Sequence, residues 1–165
     1  MEDAILKHKR LLGIGRNLDF LLGMRQTVQN HCPLCQFDLA TRFEEGRQLV
    51  LLLTYDLVIS DVLSATGLAM TDLLTARNLP VVAVMDPGTS HEVLGHFPEL
   101  KIRSTINKQD PDGFVPVIER ALKSETSNAW NRAWKAIRDV PHFIISSLAS
   151  TGPERSVHVE KSILY

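Results

Sequence analysis

Apolar and polar residues succeed one another along the chain in blocks that predict strands and helices in turn. The clearest strand is at residues 55–62, where Leu57, Val58 and Ile59 form a continuous apolar run. Such a run is typical of a strand buried on both faces, as in a parallel sheet. Weaker strand patterns lie at residues 11–14, 36–39, 81–84 and 101–106. The pattern therefore predicts five strands, the third of them fully buried.

Helical patterns separate these strands and follow the last one. Their positions are residues 18–28, 70–76, 91–97 and 112–122, with one more helix that carries the leucines at 49–53. Thr41, with Glu44 three residues on, has the form of a capping box and predicts the start of that helix. Asp112 is the expected N-cap of the last helix. Strand and helix thus alternate five times.

This alternation predicts an α/β fold, a doubly wound parallel sheet with right-handed crossovers. Ligands of such sheets bind beyond the carboxyl ends of the strands. In this chain those ends carry Gly15-Arg16, Asp61, Met85-Asp86 and Asn107-Lys108. A functional site is therefore expected among these residues.

Composition narrows the class of protein. The chain has 165 residues, 44% of them hydrophobic, and a formal net charge of −1. A neutral balance argues against nucleic acid as a partner, and no apolar run is long enough for a membrane span. The first ten residues lack the features of a secretory signal. A cytoplasmic protein with no membrane contact is expected.

Three segments together resemble a bacterial response-regulator receiver domain. They are YDLVISDV at 55–62, LPVVAVM at 79–85, and Lys108 followed by DPDGF at 110–114. The resemblance runs over residues 9–124 and implies a flavodoxin-like, five-stranded sheet of order 2-1-3-4-5. It also implies that Asp61 is the phosphoacceptor-equivalent, served by a sensor kinase, and that Lys108 is the residue that pairs with the phosphoryl group.

The residues that would hold a metal depart from the family pattern. The family binds Mg²⁺ with an acidic pair after the first strand, and this chain has Gly15 and Arg16 there. Mg²⁺ prefers oxygen ligands, so this exchange removes carboxylates that the ion needs. Asp61 is instead expected to pair with Lys108 or with Arg16, whose guanidinium suits a carboxylate. The sequence therefore predicts no metal cofactor.

Other positions of the phosphorylation switch differ as well. Met85 stands where a Ser or Thr hydroxyl is usual, and Thr105 where an aromatic residue is usual. Gln109 follows Lys108 in place of proline, and Ala65 replaces another proline. Asp61 and Lys108 survive from the active constellation, while most of its other members do not.

These departures indicate a degenerate, pseudo-receiver-like module of signal transduction that acts by protein–protein contact. It is expected to be no enzyme, to form a homodimer and to lack Mg²⁺-dependent phosphorylation. Two alternatives stay open. One is an atypical receiver still phosphorylated on Asp61. The other is a small enzyme with a pocket around Asp61, Asp86 and Lys108.

Residues 125–165 extend beyond the resemblance. Trp130 and Trp134 fall at helical spacing there and predict an apolar stripe on a C-terminal helix. This extension either covers the domain itself or supplies anchors for a dimer or partner, for which tryptophan is well suited. Both interpretations stay open.

Cys32 and Cys35 are the only cysteines and stand in a CPLC sequence. Zinc would need two more ligands, and no second pair with suitable spacing follows. A redox motif would open a helix directly after a strand, whereas this one follows a helix. A turn with buried thiols is expected.

Overall fold

The computed structural model describes residues 5–123. They belong to the first of two units into which the chain divides, Met1–Glu125 and Thr126–Tyr165. The predicted C-terminal helix, with Trp130 and Trp134, lies outside the described residues. No helix within 5–123 is long and apolar enough to cross a membrane.

Five parallel strands form one sheet. They are β1 (Arg10–Ile14), β2 (Gln36–Ala40), β3 (Leu57–Ser60), β4 (Pro80–Met85) and β5 (Lys101–Asn107). Their order is β2-β1-β3-β4-β5, with every neighbouring pair parallel. Because β3 lies between β1 and β4, all four of its residues are buried. The predicted doubly wound sheet and its strand order are confirmed.

Four α-helices cover the two faces of the sheet. They are α1 (Leu18–His31), α2 (Phe43–Leu52), α3 (Ala65–Ala76) and α4 (Phe114–Lys123). Helices α1 and α4 pack together on one face, and α2 and α3 on the other. The helix expected at residues 91–97 is a 3-10 helix, His91–His96. Six residues are too few to offset the cost of nucleating an α-helix.

Three helix starts differ from the sequence prediction. α2 begins after Arg42, whose backbone N–H and side chain both bond Glu45, and not after Thr41. α3 begins five residues earlier than predicted, because Ser64 caps it. Before α4, Asp110 and not Asp112 caps a short 3-10 turn. Each of these helix starts is set by the hydrogen bonds of a polar side chain, which the pattern of apolar residues does not show.

The core has two layers, one on each face of the sheet. The layer under α1 and α4 contains Leu6, which precedes β1 and is fully buried. The layer under α2 and α3 contains Met70 and Leu74. Ser60 is also fully buried, beside Ile14 and Ala83 in the sheet register. Its Oγ has no hydrogen-bond partner within the described residues.

We expect Ser60→Ala to raise the free energy of unfolding by about 1 kcal/mol. An unpaired buried hydroxyl costs about 1–3 kcal/mol, and alanine removes it with little loss of volume. Urea denaturation followed by circular dichroism measures the change. Thr66→Val is the matched control, because the Thr66 hydroxyl donates to the Thr41 carbonyl at 2.7 Å. That variant is expected to lose stability, and a loss in Ser60→Ala as well would contradict the prediction.

Candidate functional site at the carboxyl edge of the sheet

The carboxyl ends of four strands meet at one edge of the sheet and bring the predicted residues together. Asp61 follows β3 directly, and its backbone N–H donates to the Ile14 carbonyl of β1 at 2.9 Å. Lys108 follows β5, and its N–H donates to the Met85 carbonyl of β4 at 3.1 Å. These backbone bonds continue the sheet by one residue. The backbone of each residue is therefore fixed to a neighbouring strand.

Lys108 lies between two carboxylates. Its Nζ is 2.8 Å from Asp61 Oδ2 and 2.8 Å from Asp86 Oδ1. The Asp61 side chain is 12% exposed and that of Asp86 is 56% exposed. Lys108 thus joins a nearly buried carboxylate to one that faces solvent. The sequence offered Lys108 as one of two partners for Asp61, and it did not predict that Asp86 accepts from the same ammonium.

The charge of Lys108 is stabilised by this position. Burial lowers the pKa of its ammonium group, but the hydrogen bonds to Asp61 and Asp86 raise it by more. The net result is a pKa above the ordinary value for lysine. Lys108 is therefore a permanent cation beside Asp61 at every physiological pH.

The backbone of Asp61 is held by the start of α3. Ser64 Oγ and Ser64 N–H both donate to the Asp61 carbonyl, at 2.8 and 3.0 Å. Ser64 Oγ also accepts from the N–H of Gly67 at 3.0 Å. A Cβ on Gly67 would lie 1.8 Å from the Asp61 carbonyl oxygen. Sequence reasoning missed Gly67, although Ser64 belongs to the residue types that are favoured at a helix N-cap.

Gly15 and Arg16 take no part in neutralising Asp61. A Cβ on Gly15 would lie 3.3 Å from the Cβ of Asp61, so the glycine lets the two backbones approach. Arg16 is exposed, and the ion pair of Asp61 within the described residues is made with Lys108. Of the two partners expected for Asp61, the structure therefore shows Lys108 and not Arg16.

The residues at this edge do not fit a magnesium ion. Gly15 brings no side-chain oxygen, and Arg16 brings a positive charge where an acidic pair would be needed. The carboxylates of Asp61 and Asp86 both accept hydrogen bonds from one donor, the Lys108 ammonium. Within residues 5–123 no group of three or more acidic, His or Cys side chains could hold a metal ion.

Met85 and Thr105 contribute little to the site. Met85 is buried in the core layer under α2 and α3, so its side chain packs there. The Thr105 hydroxyl bonds the His91 ring nitrogen at 3.1 Å, which links β5 to the 3-10 helix. Neither residue supplies a hydroxyl near Asp61 and Lys108. The predicted switch-equivalent position of Met85 is therefore a core position.

Cys32 and Cys35 flank an exposed turn, and both cysteines are buried. The N–H of Cys35 donates to the Cys32 carbonyl at 3.0 Å, and both thiols are free and buried. Burial, together with Cys32 and Asp56, raises the pKa of the Cys35 thiol to about 11. A thiol with so high a pKa carries little thiolate at neutral pH and is a weak nucleophile.

Comparison with known proteins gives matches in structure alone. No protein-family model and no curated protein matches the sequence. A signal receiver domain from Pseudomonas fluorescens matches with a TM-score of 0.60 at 16% identity, over 71% of this chain and 96% of that one. The chain has the receiver fold.

Two further solved structures agree with this receiver fold. A putative response regulator from Chloroflexus aurantiacus has a TM-score of 0.60 and 17% identity, over 70% of this chain and 98% of that chain. The chemotaxis response regulator CheY4 of Vibrio cholerae has a TM-score of 0.60 and 16% identity, over 70% and 99%. The likeness is one of fold. Within the receiver fold of this chain, Asp61 and Lys108 lie together.

Proposed function

We propose that the chain is a regulatory module of signal transduction that acts by protein contact and without Mg²⁺-dependent phosphorylation. The observation that carries this proposal is the bridge from Lys108 to both Asp61 and Asp86. The receiver fold of the solved neighbours supports a signalling role. The exchanged residues around Asp61 support the absence of phosphotransfer.

Phosphoryl transfer to Asp61 would need positive charge around the transferred group. Lys108 is the cation beside Asp61, and Asp86 shares it. An incoming phosphoryl group would therefore compete with the Asp86 carboxylate for the ammonium. Gly15 supplies no metal ligand, and Met85 supplies no hydroxyl donor. These features all disfavour the transfer.

The module is proposed to work through contact surfaces. The face formed by β5 and α4 is one, and residues 125–165 with Trp130 and Trp134 provide another. We propose that the module forms a homodimer and binds a protein partner such as a sensor kinase in the cytoplasm. Such a module needs no catalytic residue of its own.

Acetyl phosphate with Mg²⁺ tests the proposal. We expect the intact mass of the chain to stay unchanged after incubation, because Gly15 and Arg16 supply no carboxylate for Mg²⁺ and Met85 supplies no hydroxyl donor. A receiver that retains its acidic pair is the positive control. Addition of one phosphoryl group that Asp61→Asn abolishes would contradict the proposal and establish the atypical receiver.

An enzyme that uses Asp61, Asp86 and Lys108 is the less favoured alternative. Both of the hydrogen bonds from Lys108 go to carboxylates of the same site, which leaves its ammonium engaged. A raised pKa also keeps that ammonium protonated, so that Lys108 is a poor general base. A metabolite screen by thermal shift that stabilises the wild type and not Lys108→Met would favour the enzyme.

A further inference from the structure

Within residues 5–123 the outer edge of β2 has no strand beside it. β2 is the first strand in the sheet order, so β1 is its single neighbour. Its bonds to β1 are made by the N–H of Gln36 and the carbonyl of Ala40, among others. In a parallel ladder the alternate residues, here Phe37 and Leu39, then direct N–H and C=O away from β1. Within the described residues nothing pairs with them.

The other edge strand is protected in ways that β2 is not. β5 carries Lys101 and Arg103, and its register shifts beside Val81, which marks a bulge. Charges and bulges of this kind prevent edge-to-edge pairing. β2 has one charge, Asp38, and its carboxylate accepts a hydrogen bond from the Tyr55 hydroxyl at 2.8 Å. Neither lysine, proline nor a bulge interrupts the open edge of β2.

An apolar groove of about 350 Å³ lies along this edge, where β2 meets the end of α2. Its lining is mostly leucine: Leu39, Glu45, Gln48, Leu49, Leu52 and Leu53. Leu52 is 80% exposed and the adjacent Leu51 is 43% exposed. Exposed leucines in a row are unusual on a free surface and mark interaction sites.

We propose that the edge of β2 and this groove bind an extended peptide segment of a partner protein. The segment would lie beside β2 as an additional strand and bond the free N–H and C=O groups of Phe37 and Leu39. A leucine-like side chain of the segment would enter the groove. Main-chain bonds and an apolar pocket together are the two elements of strand addition.

A second copy of this chain fits the surface less well than a peptide. Leu51 and the six residues that line the groove are few, whereas a stable interface contains about 20–30 residues on each side. Two β2 strands paired about a two-fold axis at the strand centre would also place two Asp38 residues opposite each other, and like charges repel there. A peptide avoids both problems.

The test uses the full chain and a fluorescein-labelled heptapeptide of alternating threonine and leucine. We expect saturable binding by fluorescence anisotropy and slower amide hydrogen exchange at Phe37 and Leu39. Leu52→Ser should weaken binding about tenfold, because a leucine contact is worth about that factor. Leu18→Ser is the matched control, since Leu18 is 49% exposed on α1, away from the groove.

Three outcomes would overturn the proposal. They are no saturation up to about 1 mM peptide, equal affinity for Leu52→Ser, and equal affinity for a peptide N-methylated at alternate amides. Light scattering that detects a dimer which Leu52→Ser dissociates would assign the surface to a second copy instead. The test does not involve Asp61, so its result is independent of whether Asp61 accepts a phosphoryl group.

Discussion

Gly67→Ala is expected to destabilise the domain by about 3 kcal/mol or more. The added Cβ would lie 1.8 Å from the carbonyl oxygen and 2.6 Å from the carbonyl carbon of Asp61. Both are backbone atoms, and the oxygen is fixed by two bonds from Ser64. The start of α3 or the turn after β3 must therefore move. Urea unfolding followed by far-ultraviolet circular dichroism measures the loss.

Gly23→Ala is the matched control for this variant. Gly23 lies inside α1, and a Cβ there would meet nothing within 4 Å. Alanine is a better helix former than glycine by about 0.8–1.0 kcal/mol, so this variant should gain stability. If Gly67→Ala unfolded at the same urea concentration as the wild type, the close approach of α3 to Asp61 would be wrong.

Lys108→Met is expected to lower the free energy of unfolding by about 3 kcal/mol. This value lies in the lower part of the range for breaking a buried ion pair. The change leaves Asp61, which is 12% exposed, without its cation, while the more exposed Asp86 stays solvated. Denaturation at pH 7 measures the cost.

The double variant Asp61→Asn with Lys108→Met is the control, since it removes both charges. It should recover much of the stability lost in Lys108→Met, and a double-mutant cycle gives the coupling. In the wild type, the pKa of Lys108 is raised. The contribution of the pair to the free energy of unfolding is therefore complete below about pH 10.4, the ordinary pKa of lysine. It is lost as the pH rises through the raised pKa. A cost under about 1 kcal/mol for Lys108→Met would indicate an ordinary surface pair.

Much of the fold was predictable because buried positions are occupied by apolar residues, whose spacing differs between strands and helices. The apolar run at 57–59 identified the central strand, and alternation with helices gave the parallel sheet. The positions of Asp61 and Lys108 followed, since both come directly after strands. The helix starts were harder to predict, because Ser64 and Arg42 define them through hydrogen bonds, which the spacing of apolar residues does not show.

The details of the candidate site depended on side-chain reach, which spacing alone does not give. Arg16 and Lys108 were both available to Asp61, and only the structure distinguishes between them. Asp86 was placed at the same edge of the sheet, but its position in the sequence did not show that it accepts a bond from Lys108. Gly67 is important because it has no Cβ. A glycine needed for this reason is hard to recognise among the other small residues of a helix.

The burial of Leu6 determines where a shortened form of the domain should begin. The resemblance to receivers begins near residue 9, which would suggest starting a shortened chain there. Leu6 precedes that point and is fully buried among residues of α1 and α4, next to a turn in which the Lys9 N–H donates to the Leu6 carbonyl. A chain started at residue 9 would thus open a leucine-sized hole at the base of the sheet and unfold at a lower temperature. Residue 5 is the safer starting point.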